Sequence, residues 1–278
     1  MIKRLLLLLL LVSFQALPAS EAIEAKIAAL VDAESLKTHR KLLDVLFQYE
    51  DEFVDEQGNA DVIKIVKVLK ENGLLRIFFK DPEPVQAKFV SDMYPLFMMK
   101  ALSDSLNKLG YHYLLTNQLV RDVNRTEWTI AYKSEHAIDP LMLAEELEKY
   151  NIGIDNITNK KNLWEYLLKT EKPVLLETHK LKTDDNTTTF NDPRGEYWFH
   201  VDENASKAII KSRYPDLWHP YIICYNGNLN ILKIYKRDRS TRSLKLTMPQ
   251  NTTYLKLTDM FTSDNLKHGI EIHIEGAH

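Results

Sequence analysis

The chain has 278 residues, with 36 Lys+Arg against 39 Asp+Glu, a formal net charge of −3, 45% hydrophobic residues and a single Cys. This apolar fraction is that of a folding chain rather than a disordered one, and at roughly 100 to 200 residues per domain the length leaves room for two or three cores. One thiol excludes a disulfide scaffold, and the slightly acidic balance gives no electrostatic ground for a nucleic-acid partner.

Lys3 and Arg4 precede an unbroken apolar run over 5–12, and small residues follow at Ala16, Ala19, Ser20 and Ala22. That is the order of a secretory signal peptide with cleavage after Ala19 or Ala22, and the run is short for a bilayer core of about 30 Å. Residues 1–19 are therefore expected to direct export, which makes the mature chain periplasmic. No later stretch approaches the ~20 apolar residues of a membrane helix, so no transmembrane segment is expected after cleavage.

Ile23, Ile27, Leu30, Leu36, Leu43, Leu46 and Phe47 recur at helical spacing, and 20–60 reads as a helical segment. The acidic tract around Gly58 is not a calcium loop. Placing that glycine at the sixth position puts Phe53 at the first ligand position and Lys64 at the twelfth.

Residues 61–172 read as a ferredoxin-like βαββαβ two-layer α+β domain. Asp61 is a helix cap, Val62, Ile65, Val66 and Leu69 form a buried stripe, and Asn72-Gly73 is a stop. A strand is expected over 74–79, then a helix from the Pro82 and Pro84 region to Leu109, interrupted at Pro95. Strands follow over 111–119 and around Trp128, Ile130 and Tyr132. Asp139-Pro140 opens a helix, 152–157 is the fourth strand, and Trp164, Tyr166 and Leu168 suggest an edge strand beyond it.

From Pro173 onward helical periodicity gives way to short alternating runs at 174–178, 196–201, 207–212, 221–225, 229–235, 243–247, 254–258 and 269–275. Residues 173–278 are expected to form an antiparallel β-sandwich, with 180–195 as a linker or a long loop.

The chemical motifs are sparse. Ser105-Leu106-Asn107-Lys108 and Ser263-Asp264-Asn265 match two elements of a serine acyl-transfer signature, but the third, a K-T-G after them, is missing. Cys224 sits in an apolar run and reads as a buried thiol. Glu271, His273 and Glu275 share a strand face, which reads as a solvated polar face rather than a metal site. No cofactor and no catalytic residue are expected.

Three features point to binding. Alternation over 196–201 displays Trp198 outward between Glu196 and His200, and Trp218 forms a second aromatic cluster nearby, a pattern suited to stacking on a glycan or cell-wall polymer. Lys236, Arg237, Arg239 and Arg242 crowd what reads as a hairpin tip and would attract an anionic partner. Among five N-x-S/T sequons, Asn124, Asn186 and Asn204 carry an acid two residues earlier, as an extended acceptor sequence does. Together these features point to a non-catalytic scaffold or binding component of a cell-envelope assembly that works through protein partners. The alternative is a glycan- or cell-wall-binding protein using the C-terminal aromatics, and a hydrolase comes third.

Overall fold

The structure, a computed structural model, describes residues 19–276 apart from 177, 184–186 and 193. The expected export signal before Ala19 and the candidate Asn186 lie outside the described residues. The fold is mixed α+β, about 41% strand and 26% helix, with several sheets.

Helix α1 (Ala19–Leu30) turns Ile23, Ile27 and Leu30 into the core at the i, i+4, i+7 spacing of one helix face. Two short helices follow, α2 (Ala33–Thr38), capped by Asp32, and α3 (Arg40–Leu46). Helix α4 (Val62–Glu71) begins where Asp61 accepts from the backbone N–H groups of Ile63 and Lys64, and it buries the expected stripe.

The first departure from expectation follows α4. Strand β1 is Phe78–Ser91, so Pro82 and Pro84 lie at the start of a strand and not in a helix. Its pairing register is interrupted between Phe78 and Glu83, so Pro82 withholds no donor from a regular ladder. Beyond it Val85, Ala87 and Phe89 alternate into the core. Helix α5 (Pro95–Lys108) starts at Pro95, which occupies the first turn, where its missing N–H has no helical acceptor to serve.

Strands β2 (Leu115–Asp122) and β3 (Arg125–His136) form a hairpin, helix α6 (Pro140–Glu148) follows, and β4 (Gly153–Lys160) and β5 (Leu163–Lys169) form a second hairpin. The five-stranded sheet runs β2-β3-β1-β5-β4. A βαββαβ sheet would set β4 beside β1. Here β5, expected at an edge, lies between them and pairs parallel to β1, with Phe89 opposite Tyr166. In this position β5 adds Trp164, Tyr166 and Leu168 to the buried face that β1 begins, with the Tyr166 and Phe89 rings stacked at 5.3 Å.

The C-terminal half contains two further sheets. The first has the order β11-β10-β13-β8-β6 and the second β12-β9-β14-β7. Their strands are β6 (His179–Leu181), β7 (Thr188–Phe190), β8 (Glu196–Val201), β9 (Ala205–Ser212), β10 (Pro220–Tyr225), β11 (Ile231–Lys236), β12 (Ser243–Thr247), β13 (Tyr254–Asp259) and β14 (Ile270–Gly276). Pairing is antiparallel except between β6 and β8. The segment 180–195 is thus neither linker nor plain loop, since it contributes to an edge strand of each sheet, whereas 174–176 and 178 lie outside any strand.

Tyr197, Phe199, Ile222, Leu257, Ile210 and Ile272 fill one buried cluster contributed by both of these sheets. A second cluster holds the N-terminal helices and first sheet, and it continues across position 173 to take in Ile223, Tyr225, Leu229 and Tyr254. The outer face of β10 and β13 is therefore partly a packing surface against the first unit.

Candidate functional site

Strand alternation places Glu196, Trp198 and His200 on the outer face of β8, opposite Thr258, Lys256 and Tyr254 of β13. Trp198 is half-buried and stacks on Tyr225, with ring centroids 5.5 Å apart and planes 20° apart. Its Nε1–H donates to Glu196 Oε1 at 2.9 Å, the same oxygen pairs with Lys256 Nζ at 3.1 Å, and that ammonium lies 5.4 Å from the indole. His200 meets Tyr254 edge-on at 5.3 Å. One ring contact, one hydrogen bond and one cation therefore already engage Trp198. Burial pushes the Tyr225 hydroxyl up to about 12, so it is neutral at physiological pH.

Trp218 corrects the sequence reading. It is 0% exposed, in the cluster between the two C-terminal sheets, and its indole nitrogen has no partner among the described residues. The flanking Pro215 and Pro220 break any period, so nothing in the sequence revealed which way the ring points.

The basic run is also placed differently from a hairpin tip. Strand β11 belongs to one C-terminal sheet and β12 to the other, so 237–242 crosses between sheets. The crossing is stitched down: Trp218 N–H donates to Thr241 O at 3.0 Å, Thr241 N–H to Trp218 O at 2.8 Å, and Arg237 N–H to Pro220 O at 3.0 Å. Lys236, Arg237, Arg239 and Arg242 are all exposed. None of the four makes an ion pair among the described residues, and Arg242 lies 5.3 Å over the Tyr214 ring.

Asn124 sits in the exposed β2–β3 turn and Asn204 in the exposed turn between β8 and β9. The hydroxyl of Thr126, third residue of the first sequon, is buried and donates to Met93 O at 2.6 Å. Ser105 is buried inside α5, away from solvent, and the Cys224 thiol is buried, which raises its pKa to about 12. Glu275 is held by Lys245 at 3.1 Å.

Sequence reasoning missed two features. Strand β2 ends its sheet and is exposed along almost its whole length, with Leu115 at 72%, and Tyr113 just before it is 92% exposed. The available signal was apolar residues at both parities, Leu119 and Val120, which a one-sided strand does not carry. The second is a cavity of about 1110 Å³ between α1, α4, α6 and β4. Lys26 lines it, donating to Asp155 O at 3.1 Å and Asn156 Oδ1 at 2.9 Å, and burial lowers its pKa.

No family model matches the chain, and no curated protein matches it. Among solved structures, it is similar to the pre-peptidase C-terminal domain of a collagenase from Bacillus anthracis, at 8% identity and a TM-score of 0.26, over 36% of this chain and 95% of that domain.

Proposed function

We propose that the protein is a non-catalytic periplasmic component of a cell-envelope assembly, an α+β unit joined to a two-sheet sandwich, which binds a protein partner through the open edge of its first sheet. The observation that carries this reading is β2: a terminal strand with Leu115, Leu119 and Val120 in solvent and no strand on its outer side among the described residues. An exposed apolar edge offers backbone N–H and C=O groups for an added strand, with side chains on both faces for selectivity. Soluble proteins usually protect such edges with lysine, proline or burial. Periplasmic placement rests on Lys3, Arg4 and the apolar run that follows. No helix among the described residues is long and apolar enough to cross a membrane. The paired state of Trp198 and the burial of Trp218 favour protein contact over glycan stacking.

A photocrosslinking side chain at Leu119, compared with one at exposed Lys161 on the β4–β5 turn, tests this reading in cells. A discrete protein adduct from Leu119, absent from Lys161 and lost when Val120→Lys is added to charge the edge, is the expected result. Equal labelling from both positions, or none from either, rules the edge out.

A further inference from the structure

Three loops meet at one end of the C-terminal sheets, and their side chains combine two kinds of surface. Trp218 and Thr241 bridge loop 213–219 to crossing 237–242, and Met260 N–H donates to His219 O at 2.9 Å, which brings in the loop after β13. From this end Tyr214 (80% exposed), Leu217 (50%) and Phe261 (65%) project into water. Around them stand Arg237, Arg239 and Arg242, exposed and without ion-pair partners among the described residues, with Arg242 packed over Tyr214. The acids here are few: Asp238 and Asp264 are exposed, while Asp216 and Asp259 are buried, the first bound to His268 Nδ1 at 2.6 Å and the second to the backbone N–H groups of His219, Phe261 and Thr262.

We propose that this end of the molecule is a membrane-contact surface that docks on a bilayer containing anionic phospholipid, through guanidinium–phosphate contacts and shallow insertion of Tyr214, Leu217 and Phe261. The charge alone would suit any polyanion. The apolar side chains decide among them, because a soluble phosphate or carboxylate polymer gives Leu217 and Phe261 nothing to bury against, whereas the headgroup–acyl boundary accepts an aromatic ring, an aliphatic tip and an arginine side by side. The surface is held by backbone bonds and so is preformed, which avoids an ordering cost on docking. It lies on different strands from the β2 edge and needs no partner protein.

The test is sedimentation of the full chain with vesicles of phosphatidylcholine alone and with added phosphatidylglycerol, read as the ratio of the two affinities, so that any contribution of the N-terminal apolar run is common to every variant. Wild type should prefer the anionic vesicles, with a preference that falls as salt rises. Arg237→Gln with Arg239→Gln should reduce binding roughly twenty-five-fold, at about fivefold per basic group. Leu217→Ser with Phe261→Ser should weaken it severalfold at constant charge, and Lys37→Gln, on the distant α2, should leave it unchanged. All five sites are exposed, and an unaltered melting temperature confirms that the variants fold. A ratio near one, or a preference unmoved by the arginine variant, overturns the proposal. If the arginine variant weakens binding but the apolar variant does not, and soluble polyphosphate competes as well as vesicles do, the surface recognises a polyanion and the lipid assignment fails.

Discussion

The backbone N–H of Leu175 donates to the phenol oxygen of Tyr254 at 3.2 Å, tying the segment that leaves the first sheet to the outer face of β13. Both residues are buried, so water does not readily replace the bond. Tyr254→Phe keeps the ring and strands the amide, which should lower stability by about 1–3 kcal/mol in urea unfolding with far-UV dichroism unchanged. A loss below about 0.5 kcal/mol would mean that the amide finds water or another acceptor.

Trp198 is predicted to act chiefly through packing. Trp198→Ala removes the stack on Tyr225 and the hydrogen bond to Glu196. For a half-buried ring the loss should be about 2 kcal/mol, below the ~3–5 kcal/mol of fully buried aromatics. Retention on peptidoglycan or glycan arrays should be the same for wild type and variant. A variant of unchanged stability that loses glycan retention would restore the ligand role.

What the sequence disclosed, and what it hid, follows from what period alone can encode. Tyr197, Phe199 and Val201 were legible as inward because β8 alternates, and Ile270, Ile272 and Ile274 of β14 for the same reason. Alternation fixes which face a residue takes, not which neighbour its strand takes, so the insertion of β5 between β1 and β4 could not be read from Trp164 and Tyr166. Pro82 and Pro84 were misleading because an interrupted strand start tolerates proline as readily as a loop does. The charges of Lys236, Arg237, Arg239 and Arg242 were visible, but their crossing between two sheets was a topological fact. The open edge at β2 was missed because an edge is defined by a neighbour that is lacking, here on the outer side of β2 among the described residues.

Asp259 gives a prediction in pH. Burial would raise its pKa, but backbone N–H groups of His219 at 2.6 Å, Phe261 at 2.8 Å and Thr262 at 3.0 Å donate to the carboxylate and hold it below the ordinary 3.8. A depressed native pKa means that the ionised form favours folding. Its contribution is complete above the unfolded-state value and is lost as pH falls below 3.8 and through the native value. Asp259→Asn should destabilise the protein at pH 7 by about 1–3 kcal/mol, since its amide group meets donors where an acceptor stood. The gap between wild type and variant in denaturant midpoints should close on acidification below 3.8. A gap constant from pH 7 to pH 2 would mean that the carboxylate is not the group those amides stabilise.

Two glycines with similar backbones separate conformational strain from steric approach. Gly73 has φ +68° and Gly269 φ +98°, in the region where an added Cβ is unfavourable. At Gly73 that Cβ meets nothing within 4 Å, whereas at Gly269 it would stand 2.4 Å from Phe190 O, on the β7 strand that pairs with β14 through Ile270 and Phe190. Gly73→Ala should therefore lower stability by the conformational term alone, about 1 kcal/mol. Gly269→Ala adds displacement of a three-residue edge strand, so its loss should reach about 2–3 kcal/mol, with faster amide exchange along β7. Equal losses at the two positions, with β7 protection unchanged, would mean that the Phe190 carbonyl yields freely and that the edge of this sheet is not held by its contact with Gly269.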